Sequence, residues 1–526
     1  MKRYLLLLLT IGASILPSIT IQANGSCADS CDTEVNSRSY IAIRPPFQSV
    51  SPEMVSAFRN DRLHAAEDGK GGAMQFVLFG GKSTKEDRLT RYFMPNGKTS
   101  LLVKEQFGVL GANNNPDLLA QNFNIFTNDN NFESRICFEP RYSFVGLGFQ
   151  WRQSFWQNEE KGRGGFFSVS TPLTRTKTAV NLKEKIINDG GGVDEEASPD
   201  AVANMTEAFK QSDWKFGKIC KGSMSKTRLA DIEVKLGYEW LQHEPCHLES
   251  YIGILIPTGN KPNGEFLFEP VVGWGKHVGI MFGSAFGIQV WSDEEKERNL
   301  RFEFASHSQY LFRRKQTRSF DLKNKPWSRY QEVYANEEQA QEAAALPEDN
   351  PQRVTLSTPG INVFTQCVKV TPGFTFDMNS ALVYICKGFQ GEVGYNFFTR
   401  RAECVQLACP WKEGPAFKDA TGAGQTRPIR DITGNPLLEE STLDTADGML
   451  PVPVGRYEDS LIKEEDLDLQ SSATPCLLSY TLYGALGYRW DERKRPPFAS
   501  LGASYLFSNS NNAVVDRWTI WGKAGF

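Results

Sequence analysis

Trp518-Thr519-Ile520-Trp521-Gly522-Lys523-Ala524-Gly525-Phe526 alternates with a period of two. Successive side chains of a strand point to opposite faces. Phe526, Ala524, Gly522, Ile520 and Trp518 therefore share one face, and Lys523, Trp521, Thr519 and Arg517 share the other. A strand apolar on one side and cationic on the other suits a wall between lipid and water.

The opposite end of the chain fits such a wall. Met1-Lys2-Arg3, the apolar run from Tyr4 to Ile21 and the small residue Ala23 read as a signal peptide over 1–23, removed before Asn24. Beyond it no stretch is long and apolar enough for a transmembrane helix. The other structure that satisfies every backbone group inside a bilayer is a closed β-barrel. The terminal strand resembles the closing strand of bacterial outer-membrane β-barrels, whose final Phe is part of the signal read by the barrel-assembly machinery. That resemblance implies that Phe526 is an assembly signal, and that outer-membrane lipid and the assembly machinery are partners. It departs from the pattern at Ala524, where those proteins often carry a large aromatic.

Other segments repeat the alternation. Ala230 to Trp240 places Asp231, Glu233, Lys235 and Glu239 opposite an apolar face, and Leu300 to Phe312 does the same with Arg301, Glu303, His307 and Gln309. With Glu249, Arg489, Arg517 and Lys523 these are the expected lumen-lining residues. Met74–Lys82, Val145–Trp151, Phe166–Leu173, Leu248–Pro257, Val278–Trp291, Val368–Asp377, Gly391–Phe397 and Tyr480–Trp490 complete the strand candidates. Every second connector is short, from Gln157 to Gly164, Gln242 to His247, Ser292 to Asn299, Met378 to Cys386 and Asp491 to Pro497. Thr174 to Thr227, Arg314 to Phe364 and Arg401 to Ser479 are long and polar. The expected fold is all-β, an up-and-down antiparallel transmembrane barrel of about twelve strands over 72–526, with short turns on the periplasmic side and long extracellular loops. Thr99 to Leu110 holds a further strand pair or a loop hairpin. Residues 24–71 form an N-terminal extension that either plugs the barrel or lies in the periplasm.

Ten cysteines in an exported chain point to disulfides. Parity assigns Cys27 and Cys31 to the periplasmic side and Cys404, Cys409 and Cys476 to the outer side. Bridges tying the last three within the outer loops are expected, since closing a long loop restricts the unfolded chain most. The acidic end of Arg401 to Ser479 reads as a solvated outer loop.

Composition and motifs exclude several functions. A formal charge of −4 argues against a nucleic-acid partner. Of five histidines only His307 sits inside a strand with a polar face, and its neighbours Ser306 and Ser308 point away from it, so no Ser-His relay forms there. Gln242 to His247 holds metal-ligand types, but a short turn explains it, and no metal or cofactor is expected. Ile254-Leu255-Ile256-Pro257-Thr258-Gly259 resembles the strand ending of several outer-membrane channel families. The expectation is a passive channel or transporter for small solutes in the bacterial outer membrane, not an enzyme. The alternative is a sealed barrel whose disulfide-bearing outer loops contact a partner or host, and an outer-membrane hydrolase is the third reading. Ile232→Arg is expected to impair assembly, and Glu233→Arg to leave it intact.

Overall fold

The computed structural model describes residues 37–57, 71–85, 87–105, 116–243, 245–336, 338–339, 342, 356–412, 414–417, 461–490, 496–508 and 513–526. Twelve antiparallel strands close into a barrel: β1 Gly72–Ser83, β2 Arg141–Asn158, β3 Arg163–Ala179, β4 Ile232–His243, β5 Cys246–Ile256, β6 Gly279–Asp293, β7 Arg298–Leu311, β8 Phe374–Cys386, β9 Phe389–Arg400, β10 Leu477–Arg489, β11 Phe498–Phe507 and β12 Arg517–Gly525. Each strand pairs with its neighbours in sequence, and β1 pairs with β12 from Gln75↔Gly525 to Ser83↔Arg517. At this seam Met74 N–H donates to the Phe526 carbonyl at 2.7 Å and Phe526 N–H returns to the Met74 carbonyl at 3.0 Å. Closure leaves no strand edge in the wall, which is what a lipid environment demands.

Alternation sets the two faces of the wall. Leu78, Leu147, Leu236, Ile252, Ile280, Leu382, Val393, Leu486, Leu501 and Ile520 are exposed on the outside. Aromatics gather at both borders of this aliphatic belt: Trp156, Trp240, Trp291, Tyr384, Tyr488, Trp490 and Phe526 toward one end, Phe312, Tyr505 and Trp518 toward the other. Such girdles mark the two interfaces of a transmembrane barrel. The connections at one end span 159–162, 244–245, 294–297, 387–388 and 490–497; those at the other span 84–140, 180–231, 257–278, 312–373, 401–476 and 508–516.

Two strand assignments differ from the sequence reading. Thr365–Thr371 belongs to a three-stranded loop sheet with Arg314–Ser319 and Cys404–Leu407, and the barrel strand is β8, with its turn at 387–388. Met378 to Cys386 is therefore strand and not connector. Its faces blur the pattern, because Ala381, Val383 and Ile385 point inward while Ser380 points outward. The second, β11, was not picked out by alternation. Ala499, Ser500, Gly502, Ala503 and Ser504 are small on both faces and give no contrast. Ser100–Lys104 lies in a four-stranded loop sheet with Leu118–Leu119, Glu133–Phe138 and Leu182–Asn188, outside the wall; 106–110 lie outside the described residues.

The long loops are not merely solvated. They fold into a cap whose apolar core is continuous with that of the lumen; in it Phe123, Phe209, Trp214, Trp327 and Tyr330 are fully buried, with Trp214 and Tyr330 stacked at 5.2 Å. Ile462, Leu467 and Ala473 of the 401–476 connection are buried in a second cluster; 418–460 lie outside the described residues.

Candidate functional site

The lumen is occupied by the chain itself. Ser37 is held in the cap, where its hydroxyl bonds the Asp321 carboxylate and accepts from Trp327 N–H at 2.9 Å, and Arg329 donates to its carbonyl at 2.8 Å. From there the segment descends through the barrel. Arg44 reaches Asp377 on β8 at 2.7 Å and the Asn396 side-chain oxygen on β9 at 2.9 Å, over the Phe398 ring. Its carbonyl accepts from Arg517 on β12 at 2.8 Å. Ser49 donates to Glu233 on β4 at 2.6 Å. Near the short-turn end, Lys523 on β12 donates to the carbonyls of Met54 and Ser56 at 3.0 and 2.5 Å, and Trp521 donates to the Ser56 hydroxyl at 3.1 Å. Gln75 on β1 donates to the Met54 carbonyl at 3.0 Å and Ala57 N–H to Glu392 on β9 at 3.3 Å.

Local sequence shapes this segment. Pro45-Pro46 holds the chain extended, and Phe47 then takes a left-handed φ of 59°. Glu53 satisfies the Phe47 N–H at 2.7 Å across the turn. The short helix Pro52–Val55 starts with Pro after Ser51. Phe47 stacks on Phe79 of β1 with centroids 5.5 Å apart, in space left by Gly148 on β2, where a Cβ would lie 2.2 Å from the Phe47 ring.

The expected lumen residues sit as follows. Glu233, Lys235, Glu239, Glu249, Arg301, Glu303, His307, Gln309, Arg517 and Lys523 are all buried on the inner face. Asp231 is buried just before β4, where it accepts from Trp274 and Gly259 N–H. Arg489 lies at the short-turn end with intermediate exposure. On the β2 to β7 side three cations are paired with four carboxylates: Arg152 bridges Glu239 at 2.7 Å and Glu249 at 2.6 Å over the Phe166 ring, Lys235 meets Glu233 at 2.9 Å, and Arg301 meets Glu303 at 3.1 Å. His307 Nδ1 lies 2.9 Å from the Tyr251 hydroxyl, and its Nε2 lies 3.4 Å from the Gln309 side-chain oxygen. Between this wall and the apolar side of Val50, Met54 and Val55 lies a cavity of about 90 Å³, room for a few waters. The inner segment thus leans mainly on β8 to β12 and β1, and a small polar space remains on the other side.

Arg44, Asp377 and Arg152 escaped the sequence reading, whereas the alternation of Gly391–Phe397 already set Asn396 opposite the apolar face. Arg152 was legible, since the β2 alternation runs one residue past Trp151. The segment's partners were not, because pairing across the lumen leaves no local pattern. Among the described residues no cluster of His, Cys, Asp or Glu is placed to hold a metal ion. His247 turns inward to Glu303 at 3.4 Å.

The cysteine expectation is corrected in part. Cys409 is an exposed thiol and Cys476 a half-buried one, so neither is bridged to Cys404, which is disulfide-bonded. Cys404 opens a loop strand that holds its neighbours in register with 368–371, so backbone pairing already fixes this part of the loop. Cys27 and Cys31 lie outside the described residues; the chain enters the described part at the loop end, not the short-turn end.

No protein-family model matches the chain, and no curated protein matches it by sequence. Among solved structures it is similar to an outer-membrane channel from Pseudomonas putida F1, at 7% identity over 89% of this chain and 99% of that one, with a TM-score of 0.35. It is similar to the transport unit of the autotransporter AIDA-I from Escherichia coli, at 7% identity over 86% and 88%, with a TM-score of 0.31. A Pseudomonas aeruginosa FadL homologue follows at 8% identity over 86% and 90%, with a TM-score of 0.26.

Proposed function

We propose that the protein is a bacterial outer-membrane channel for small solutes, closed in the state described by its own segment Ser37–Ala57. The observation that carries this reading is the way the lumen is filled. A barrel sealed for structure alone can be packed by wall side chains, as eight-stranded barrels are. Here a separate length of chain supplies the filling, held by discrete polar contacts such as Arg44–Asp377, and it leaves a polar cavity beside it. A wall lined by charges of both signs can pass hydrated solutes once that segment shifts. In this reading the short-turn end faces the periplasm, the cap faces outward, and 1–23 is the export signal.

Planar-bilayer recording on the full chain tests the proposal. Wild type should be mostly silent, with rare steps, while Arg44→Ser and Asp377→Asn should open frequently. Silence in all three, with folded barrels verified by heat-modifiable migration, would transfer the function to the cap as a surface-contact element.

A further inference from the structure

We infer that the outward face of β1, β2 and β3 at the loop end is a binding site for the phosphate groups of an anionic membrane lipid, an inference that rests on the barrel lying in a membrane. The strand registers carry it. Leu78 on β1, Leu147 on β2, Leu173 on β3 and Leu229 on the adjoining strand Met224–Leu229 stand opposite one another in one row, and all four are exposed. Two rows toward the loop end, Lys82, Ser143, Lys177 and Ser225 form a second such row. Between them run Gly80, Val145, Arg175 and Thr227, so an apolar row gives way to cations and hydroxyls within about 14 Å.

Lys82, Arg175 and Lys177 are exposed, and among the described residues none of them pairs with a carboxylate. Arg175 touches the Ser225 hydroxyl at 3.3 Å. Arg141 continues the patch beyond Lys177 but lies 3.5 Å from Glu139. A second run of exposed cations at the loop end, Arg313 to Lys315, lies beyond Phe312 in the connection after β7 and outside the wall strands. At the corresponding level the outward residues are aromatic or aliphatic: Trp518 on β12, Tyr505 on β11, Tyr480 on β10, Phe376 on β8, Tyr310 on β7 and Ile254 on β5.

Cations at this depth stand beside lipid headgroups, where phosphate is the complementary charge. Arg meets phosphate oxygens with a two-pronged donor, Lys adds point charges on flexible stems, and the Ser and Thr hydroxyls donate further bonds. Acyl chains of the same lipid would lie on the leucine row. Three cations within two strand spacings, about 10 Å, suit a headgroup with more than one phosphate.

The test uses the full chain in detergent with bisphosphorylated lipid A, the same lipid dephosphorylated, and inorganic phosphate as competitor, read by native mass spectrometry. Wild type should retain the phosphorylated lipid. Lys82→Ser/Arg175→Ser/Lys177→Ser should lose on the order of 100-fold in affinity, at about fivefold per cation. Equal retention by the triple variant, or equal binding of the dephosphorylated lipid, would overturn the site, as would complete displacement by millimolar inorganic phosphate, which would mark a site for the free ion. Lys210→Ser/Lys215→Ser, elsewhere on the cap, should bind like wild type. Membrane fractionation of the same proteins separates the two failures: a wild type that does not insert overturns the barrel's location, whereas insertion of both with equal binding overturns the patch alone.

Discussion

Phe47 and Phe79 lie face to face, centroids 5.5 Å apart and planes 8° apart, one ring from the inner segment and one from the wall. The pair exists because Gly148 leaves the floor bare, and a Cβ there would fall 2.2 Å from Phe47. Phe47→Ala should loosen the segment by about 3–5 kcal/mol, and Gly148→Val should expel the ring. Both should raise the frequency of conductance steps without reducing the folded fraction. Unchanged recordings from folded variants would detach Phe47 from closure.

Leu501 is among the most exposed residues of the belt. Leu501→Arg should cost about 2–4 kcal/mol of barrel stability, the penalty of a cation in the bilayer core. Urea midpoints of vesicle-folded protein measure it. A midpoint equal to wild type would mean this face does not meet lipid.

The sequence reading expects Glu233→Arg to leave assembly nearly intact, and the surroundings of Glu233 argue for the opposite outcome. Glu233 is buried, 2.9 Å from the Lys235 ammonium and 2.6 Å from the Ser49 hydroxyl. A guanidinium there would face Lys235 with its counter-charge removed. Breaking a buried pair in this way costs about 3–5 kcal/mol, so the folded fraction should fall, with partial rescue by Glu233→Arg/Lys235→Glu.

His277 lies in the connection between β5 and β6, where burial pulls its imidazole below the usual range. One ring nitrogen contacts the Phe312 carbonyl at 2.8 Å and the other the Gln316 side-chain amide at 2.9 Å, which fits the neutral ring. A depressed folded-state value means that stability is fully present above the unfolded value of about 6.5 and is lost as pH falls from there through the folded value. The protection factors of the amides at 312–320, which are exchange rates corrected for the intrinsic base-catalysed rate at each pH, should therefore be lower at pH 5 than at pH 7.5. In His277→Gln the difference should shrink, and an undiminished difference would assign the effect to another group.

Cys367 and Cys409 are exposed at the loop end. A membrane-impermeant maleimide should modify both in intact cells. Modification only after the outer membrane is permeabilised would invert the orientation proposed for the barrel.

How far the sequence could be read depends on how local each signal is. The inner-face positions of β4 and β7 were legible because Ile232 to Glu239 and Arg301 to Gln309 carry strong contrast within a few residues. β11 was not, since its faces hold Ala, Ser and Gly alike. The inner segment was named but not placed: Arg44 meets Asp377 across 333 positions of sequence, and nothing near Arg44 announces that partner. The cap was not foreseen, for a related reason. Phe123, Trp214 and Trp327 are scattered through polar loops, and each looks solvated until the loops meet.

Ser37–Ala57 precedes every wall strand in the order of synthesis, while the seam unites β1, the first of those strands, with β12, the last. In the closed barrel the hydrogen bonds from Gln75↔Gly525 to Ser83↔Arg517 therefore encircle a stretch of chain made before either strand. The segment is placed as a mandrel is: Arg44 stands against Asp377, and the Met54 and Ser56 carbonyls against Lys523, so that none of these charges is left solitary in the interior.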